Sequence, residues 1–277
     1  MSPSRVCERC LMRRLLLCFL LVPALSRAEV RRVVSLAPSH TDIVDALGAG
    51  DLLVGVADAD KGHEKLPRAG GLAPRWEVLV SLKPDLVLAD VSHRRFAPDF
   101  QRHKIPARFF TANRAGNLQD VFAIVLEVGT AVERPDAARR LVSDLTARAA
   151  RLDARLPIGR PPRAVFELWP RPLQVAGKTS LPGHLLERAG FVNIAPATRG
   201  DTPLVSWEYV LKEKPDYIFH TGVLPDENFR ERPGWATLPA VEEGRVIRLD
   251  PDLFSRAGPG AVDALEFLMK IRRGESE

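Results

Sequence analysis

The strongest constraint on this chain is a motif that occurs twice. Trp76-Glu77, five residues and Lys83-Pro84-Asp85 reappear as Trp207-Glu208, five residues and Lys214-Pro215-Asp216, displaced by 131 residues throughout. Each copy runs into an apolar stretch, Leu86-Val87-Leu88 or Tyr217-Ile218-Phe219. The pattern predicts a short helix stopped by proline, whose preceding residue is driven out of the helical region, then a turn at Asp into a buried strand. Two related bodies are expected, one in each half of the chain.

A different element separates the copies. From Pro135 to Leu156, the residues Ala138, Leu141, Val142, Leu145, Ala149, Leu152 and Leu156 recur at steps of three and four, with arginines on the other faces. This spacing predicts one long amphipathic helix. Pro135 suits its first turn and Pro157 its stop, and 22 residues at a 1.5 Å rise would span about 33 Å. Elsewhere the chain reads as strand, loop and helix. Arg31 to Leu36 is a β-branched strand, and Thr41 to Leu47 a helix with Ser39 and Asp42 as its capping box and Gly48 as its terminator. Leu52 to Val56, Leu86 to Ala89 and Arg163 to Leu168 read as further strands, and apolar runs without alternation suit strands covered by helices on both faces.

The first 28 residues read as an address. Arg13-Arg14 precede an apolar run from Leu15 to Val22, extended by Ala24 and Leu25, and Ser26-Arg27-Ala28 supplies small residues for cleavage after Ala28. The run of about 11 residues falls short of the roughly 20 that span a bilayer, so a soluble exported protein is expected. Cys18 lacks the preceding small residues of a lipid-attachment site, so a lipoprotein is not. The segment also holds five of the 40 Lys and Arg and one of the 35 Asp and Glu. The remainder carries 35 positive against 34 negative side chains, which removes the electrostatic case for nucleic acid. All three cysteines, Cys7, Cys10 and Cys18, lie there too. The mature chain would have no thiol, excluding a disulfide scaffold, a Cys-zinc site and a Cys nucleophile.

Enzyme signatures are weak. Gly177-Lys178-Thr179 imitates the end of a phosphate loop, but Pro172 stands where that loop needs glycine. Neither a Gly-x-Ser-x-Gly elbow nor a His-Glu-x-x-His helix occurs.

Taken in order, Val34-Ser35-Leu36-Ala37-Pro38-Ser39, the Leu82-Lys83-Pro84-Asp85-Leu86-Val87 run, the paired glutamates and Asp252-Leu253-Phe254-Ser255-Arg256-Ala257-Gly258-Pro259 resemble the helical-backbone (class III) substrate-binding proteins of ABC importers. That family serves cobalamin, iron-siderophores and haem, and the resemblance is closest to its cobalamin-binding branch. It implies an α/β fold of two Rossmann-like lobes joined by a single long rigid helix, with the ligand cleft between them. The boundaries expected are 29–132 for the N-terminal lobe, 133–158 for the connecting helix and 159–277 for the C-terminal lobe. It further implies a periplasmic monomer without a cofactor, capturing a metal-containing chelate and passing it to an inner-membrane ABC permease.

Site residues follow from both sources. Open α/β sheets bind ligands beyond the carboxyl ends of their strands, which nominates Ser39, His40, Asp60, His93, Trp169 and His220. Asp252 and Arg256 match an acid and an arginine that contact cobalamin's polar periphery in the resembled branch. Glu77 and Glu208 match its permease-docking glutamates, one per lobe. Departures bear on the cargo: the loop Ala57-Asp58-Ala59-Asp60 and Asp90 stand where that branch places aromatics, and both tyrosines, Tyr209 and Tyr217, sit inside the repeat and not on a loop where haem could be ligated. Trp169 could stack on a flat ligand. His40, His63, His93 and His220 fall on nominated loops, and imidazole suits iron, zinc, cobalt or nickel, but no fixed ligand spacing supports a metal site. A bare-metal receptor, a periplasmic metal-dependent hydrolase using His93 or His220 with an Asp, and a ligand-free adaptor are the alternatives.

Overall fold

A computed structural model describes residues 29–198, 200–223 and 228–275; the expected signal segment lies outside them. The N-terminal lobe runs β1 (Val33–Ser35), α1 (Pro38–Ala46), β2 (Leu53–Gly55), α2 (Trp76–Leu82), β3 (Leu86–Asp90), α3 (Ala97–Arg102), β4 (Ala107–Phe110) and α4 (Leu118–Ala131). After α5 (Pro135–Asp153) come β5 (Arg163–Pro170), β6 (Leu173–Val175), α6 (Leu181–Arg188), β7 (Val192–Asn193), α7 (Trp207–Glu213), β8 (Tyr217–His220), α8 (Pro239–Glu242), β9 (Val246–Arg248), α9 (Pro251–Ser255) and α10 (Ala261–Arg272). The strands form two separate sheets, ordered β2-β1-β3-β4 and β6-β5-β8-β9, with β7 also paired to β5.

The repeat is structural down to the register. Val33, Val34 and Ser35 face Leu86, Val87 and Leu88 in parallel, and their counterparts 131 residues on, Ala164, Val165 and Phe166, face Tyr217, Ile218 and Phe219 in the same way. The Lys-Pro-Asp motif works identically in both lobes. Lys83 and Lys214 end α2 and α7 in the left-handed region, at φ 45° and 47°. Asp85 then accepts the Arg32 amide at 2.9 Å, and Asp216 the Arg163 amide at 2.7 Å. The Arg32 and Arg163 guanidinium Nε groups donate to the last helical carbonyls, Leu82 and Glu213, at 3.0 and 2.9 Å. Arginine thus closes the helix end whose carbonyls have no helical partner.

One sequence expectation fails locally. Helix α1 starts at Pro38 with Ala37 as its cap and no side-chain capping bond, so Ser39 and Asp42 form no capping box. Proline's fixed φ is already helical and needs no amide partner at the first position, which starts the helix a turn early. Gly48 does take a left-handed φ of 66° just beyond the helix.

Helix α5 has 19 residues, about 28 Å of rod. Leu145, Ala149 and Leu152 on it share one continuous core with Val121 and Val125 of α4, Leu265 and Leu268 of α10, Val33 and Leu88 of the first sheet, and Phe166 of the second. Each sheet's other face has its own core, Val34, Val87 and Leu79 in one lobe and Val165, Ile218 and Val210 in the other. Strands buried on both faces account for the unbroken apolar runs. Arg148 of α5 pairs with Asp263 and Glu266 of α10, and Arg188 of α6 donates to Asp153 at 2.8 Å, so the rod is fastened to the second lobe by charge as well as packing.

Candidate functional site

Because β1, β2, β3 and β4 run parallel, their carboxyl ends open on one side of the N-terminal sheet. There the chain leaves β1 into Leu36–Ser39, β3 into Asp90–His93 and β4 into Ala112–Asn113, and these segments line a cavity of about 630 Å³. The second lobe closes it with Ser255, Arg256 and Ala257, at the carboxyl end of α9. A smaller recess of about 210 Å³ shares Ala112, Asn113, Ser255 and Ala257 and continues between the lobes to Ser180, Asp201 and Thr202. The site is therefore a cleft with walls from both halves of the chain, as expected of convergent loops at strand ends.

The nominated residues divide by position. Ser39, His93 and Arg256 line the main cavity. His40 lies in the N-terminal lobe's interior, its ring edge-on to Phe110 at 5.2 Å and wholly shielded from solvent. Asp60 is also buried, and its Oδ1 accepts the Gly62 and His63 amides, each at 3.1 Å, knitting its own loop. Trp169 is 47% exposed and donates its indole N–H to the Arg171 carbonyl at 3.1 Å. His220 packs edge-on against Phe229 at 4.9 Å. Neither of these two lines the two recesses just described. Asp252 stands at the rim, paired to Lys61 of the other lobe at 2.7 Å and to Arg256 at 3.2 Å. Arg256 also reaches Asp42 of α1 at 3.2 Å. A four-member charge network thus crosses the cleft edge. Lys61 chiefly holds the Asp252 carboxyl below its usual range, whereas burial raises that of Asp42 against the pull of Arg256.

The four histidines do not converge. His93 uses both ring nitrogens, accepting the Asp90 amide at 3.2 Å and donating to the Gly71 carbonyl at 2.6 Å. His63 bonds Asp60. Among the described residues no group of three or more His, Cys, Asp or Glu is placed to hold a metal ion. Both tyrosines are within the repeat as expected; Tyr209 donates its hydroxyl to the Ile194 carbonyl at 2.7 Å, and Tyr217 stacks on Phe219 at 5.9 Å.

Burial lowers the pKa of His40 to about 4, outweighing the opposite pull of the Asp90 carboxylate. The folded protein therefore keeps this ring neutral where the unfolded chain protonates near pH 6.5. Unfolded chains bind the extra proton between these values, so stability is complete above pH 6.5 and falls as pH drops toward 4. The expected loss is about 3 kcal/mol, read from urea unfolding midpoints across that range; His40→Leu is expected to flatten that part of the profile.

Sequence reasoning missed Leu72, Asn113, Ser180, Asp201 and Thr202. Leu72 is 86% exposed at the cavity lip, on a loop that does not end a strand. Asn113 follows β4, whose four residues Ala107–Phe110 carry too short a pattern to announce a strand.

Glu77 and Glu208 occupy the first turns of α2 and α7 and are exposed. Both helices lead directly into strands β3 and β8 through Lys-Pro-Asp, so their first turns lie toward the carboxyl ends of the sheets, the end where the cleft opens. The Ser206 hydroxyl, donating to Glu208, holds that carboxyl below its ordinary range.

Comparison with known proteins places this geometry. A family model described as periplasmic binding protein matches residues 33–253. An ABC transporter substrate-binding lipoprotein of Bacillus subtilis is 30% identical over 251 residues, covering 87% of this chain and 80% of that one. The vitamin B12-binding protein of Vibrio parahaemolyticus is 26% identical over 256 residues, covering 87% of this chain and 89% of its own. Among solved structures, the periplasmic vitamin B12-binding protein of Vibrio cholerae superimposes with a TM-score of 0.74 at 24% identity, over 89% of this chain and 98% of that one. The periplasmic haem-binding protein of the same organism gives 0.78 at 19% identity, over 87% and 98%. These last two likenesses establish the two-lobed fold.

Proposed function

The chain belongs to the periplasmic binding protein family, and we propose that it captures a metal-containing chelate, cobalamin-like, iron-siderophore or haem, in the cleft and delivers it to an ABC importer in the inner membrane. Members of the family bind substrates and are not enzymes, so the hydrolase alternative falls away. The observation that carries the proposal is the cavity walled by both lobes, large enough for a small-molecule ligand. The bare-metal alternative draws no support from the described histidines, which point to separate partners. Export with cleavage after Ala28, and function as a monomer, belong to the same reading.

Ser39 and Arg256 supply polar contacts inside the cavity, and Asp252 braces Arg256 from the rim. Ligand groups that accept hydrogen bonds, such as amide oxygens or carboxylates, suit the Arg256 guanidinium. The test is to purify the exported form from its host, read its absorbance and metal content, and titrate it with haemin and with cyanocobalamin. One-to-one retention of an unchanged chromophore, or stoichiometric iron or cobalt, is expected; retention of neither cargo class sinks the proposal. For the probe that binds, Arg256→Ala is expected to raise Kd about tenfold, the loss of one charge-assisted hydrogen bond.

A further inference from the structure

His93 sits inside the cleft wall, yet its bonding leaves it little to offer a ligand. Gly71 presents a carbonyl, which can only accept, and Asp90 an amide, which can only donate; the ring between them is fixed as the neutral tautomer with its proton on Nε2. It is 4% exposed. One residue further along the tied loop, Arg95 donates to the Leu72 carbonyl at 2.9 Å, so two successive carbonyls of that loop are held by side chains of the turn after β3. The loop is tight in itself: Gly70 has φ 118°, and a Cβ there would lie 2.3 Å from the Ala73 carbonyl oxygen. On the other side, Asp90 accepts the Ser92 amide at 2.9 Å and the Asn113 amide at 3.0 Å. Three separate cleft segments are thereby joined through the hydrogen-bonded pair Asp90 and His93.

We propose that His93 is a positioning residue, which as a neutral imidazole couples the Gly70–Ala73 loop to the end of β3 and so fixes the shape of the N-terminal wall of the cleft. Its effect on cargo depends on the cleft being the binding site, as proposed above, but the coupling itself is a property of the ligand-free protein. Losing the imidazole leaves the Asp90 amide and the Gly71 carbonyl without this bridge, so that Arg95 alone ties the loop to the turn after β3, through the Leu72 carbonyl.

The experiment uses the mature protein without ligand, then with haemin or cyanocobalamin. Imidazole nitrogen NMR of the wild type at pH 7 is expected to report the Nε2–H tautomer; the Nδ1–H form overturns the proposal, whatever any variant does. His93→Leu is expected to speed hydrogen exchange of the Asp90 amide at least tenfold and to weaken the bound probe about tenfold. His93→Gln, which offers both an acceptor and an N–H donor, is expected to recover most of both. Unchanged Asp90 exchange in His93→Leu overturns the proposal, as does equal loss of affinity in both variants with exchange unaltered, which would make His93 a direct ligand contact. Should neither probe bind the wild type, the haem and cobalamin readings of the cargo fail while tautomer and exchange still decide the role of His93.

Discussion

Arg232→Leu is expected to lower the free energy of unfolding by about 3–5 kcal/mol, measured by urea denaturation at neutral pH. Arg232 and Glu167 are each only 4% exposed and meet in a two-pronged ion pair, with N···O distances of 2.5 and 2.8 Å. The guanidinium also lies over Phe229 at 4.1 Å and Trp235 at 4.4 Å, so it stands in an aromatic box inside the outer core of the second lobe. Removing it strands the Glu167 carboxylate on β5, away from water, and the cost is that of an uncompensated buried charge more than of lost attraction. Glu167→Leu combined with Arg232→Leu is therefore expected to recover most of the loss, because neither member of this buried pair then leaves the other's charge uncompensated. A double variant no more stable than Arg232→Leu alone would show that the aromatic contacts, not the charge, carry the effect. The pair fastens the segment after β8 to the sheet, close to α7, since Arg232 also lies 5.8 Å from Trp207; its integrity bears on the exposed glutamate beside that tryptophan.

How much of this could be read from the sequence depends on distance along the chain. The repeat displaced by 131 residues foretold two lobes, and the same offset holds for strand register and for the Arg32 and Arg163 helix-end contacts, although single arginines at strand starts give no local pattern to notice. The periodicity of α5 was legible because one face must stay apolar along the whole rod, and its end at Asp153, short of Leu156, reflects the fraying that Pro157 imposes on the residues before it. From the residues themselves the cleft was legible only as a rule about strand ends; its place between two lobes came from the family resemblance. While Arg256 also came from the family resemblance, that rule led to Ser39 and His93 on the cavity lining, since each follows a strand with a clear pattern. It could not separate a loop residue facing the cleft from one such as Asp60, which turns inward to satisfy the amides of its own loop, or His40, one position along a helix from Ser39 and so on another face. Nor could it foresee that Arg256 meets Asp42, because partners 214 residues apart are joined only by the way the lobes pack.

The paired substitution Glu77→Ala with Glu208→Ala is expected to cut transporter-dependent uptake of the retained cargo, haemin or cyanocobalamin, by roughly tenfold or more, while cargo affinity changes less than about twofold. Both carboxylates are exposed at the cleft end of their lobes and outside the cavity wall. An acidic side chain there can act on a cationic permease surface, where complementary charge chiefly governs encounter rate and orientation. The competing explanation is that each merely complements the positive end of a short helix, in which case the double variant would melt earlier and transport normally. Because the two residues belong to different lobes and share no partner among the described residues, the single substitutions are expected to contribute independently to stability, yet not to transport, where the proposed docking would need both contacts at once. Glu77→Gln with Glu208→Gln separates charge from shape: it retains hydrogen-bonding capacity and is expected to transport poorly, with the remaining uptake losing the salt dependence of the wild type. Loss of cargo affinity together with transport would place the glutamates in the binding site and end the docking assignment.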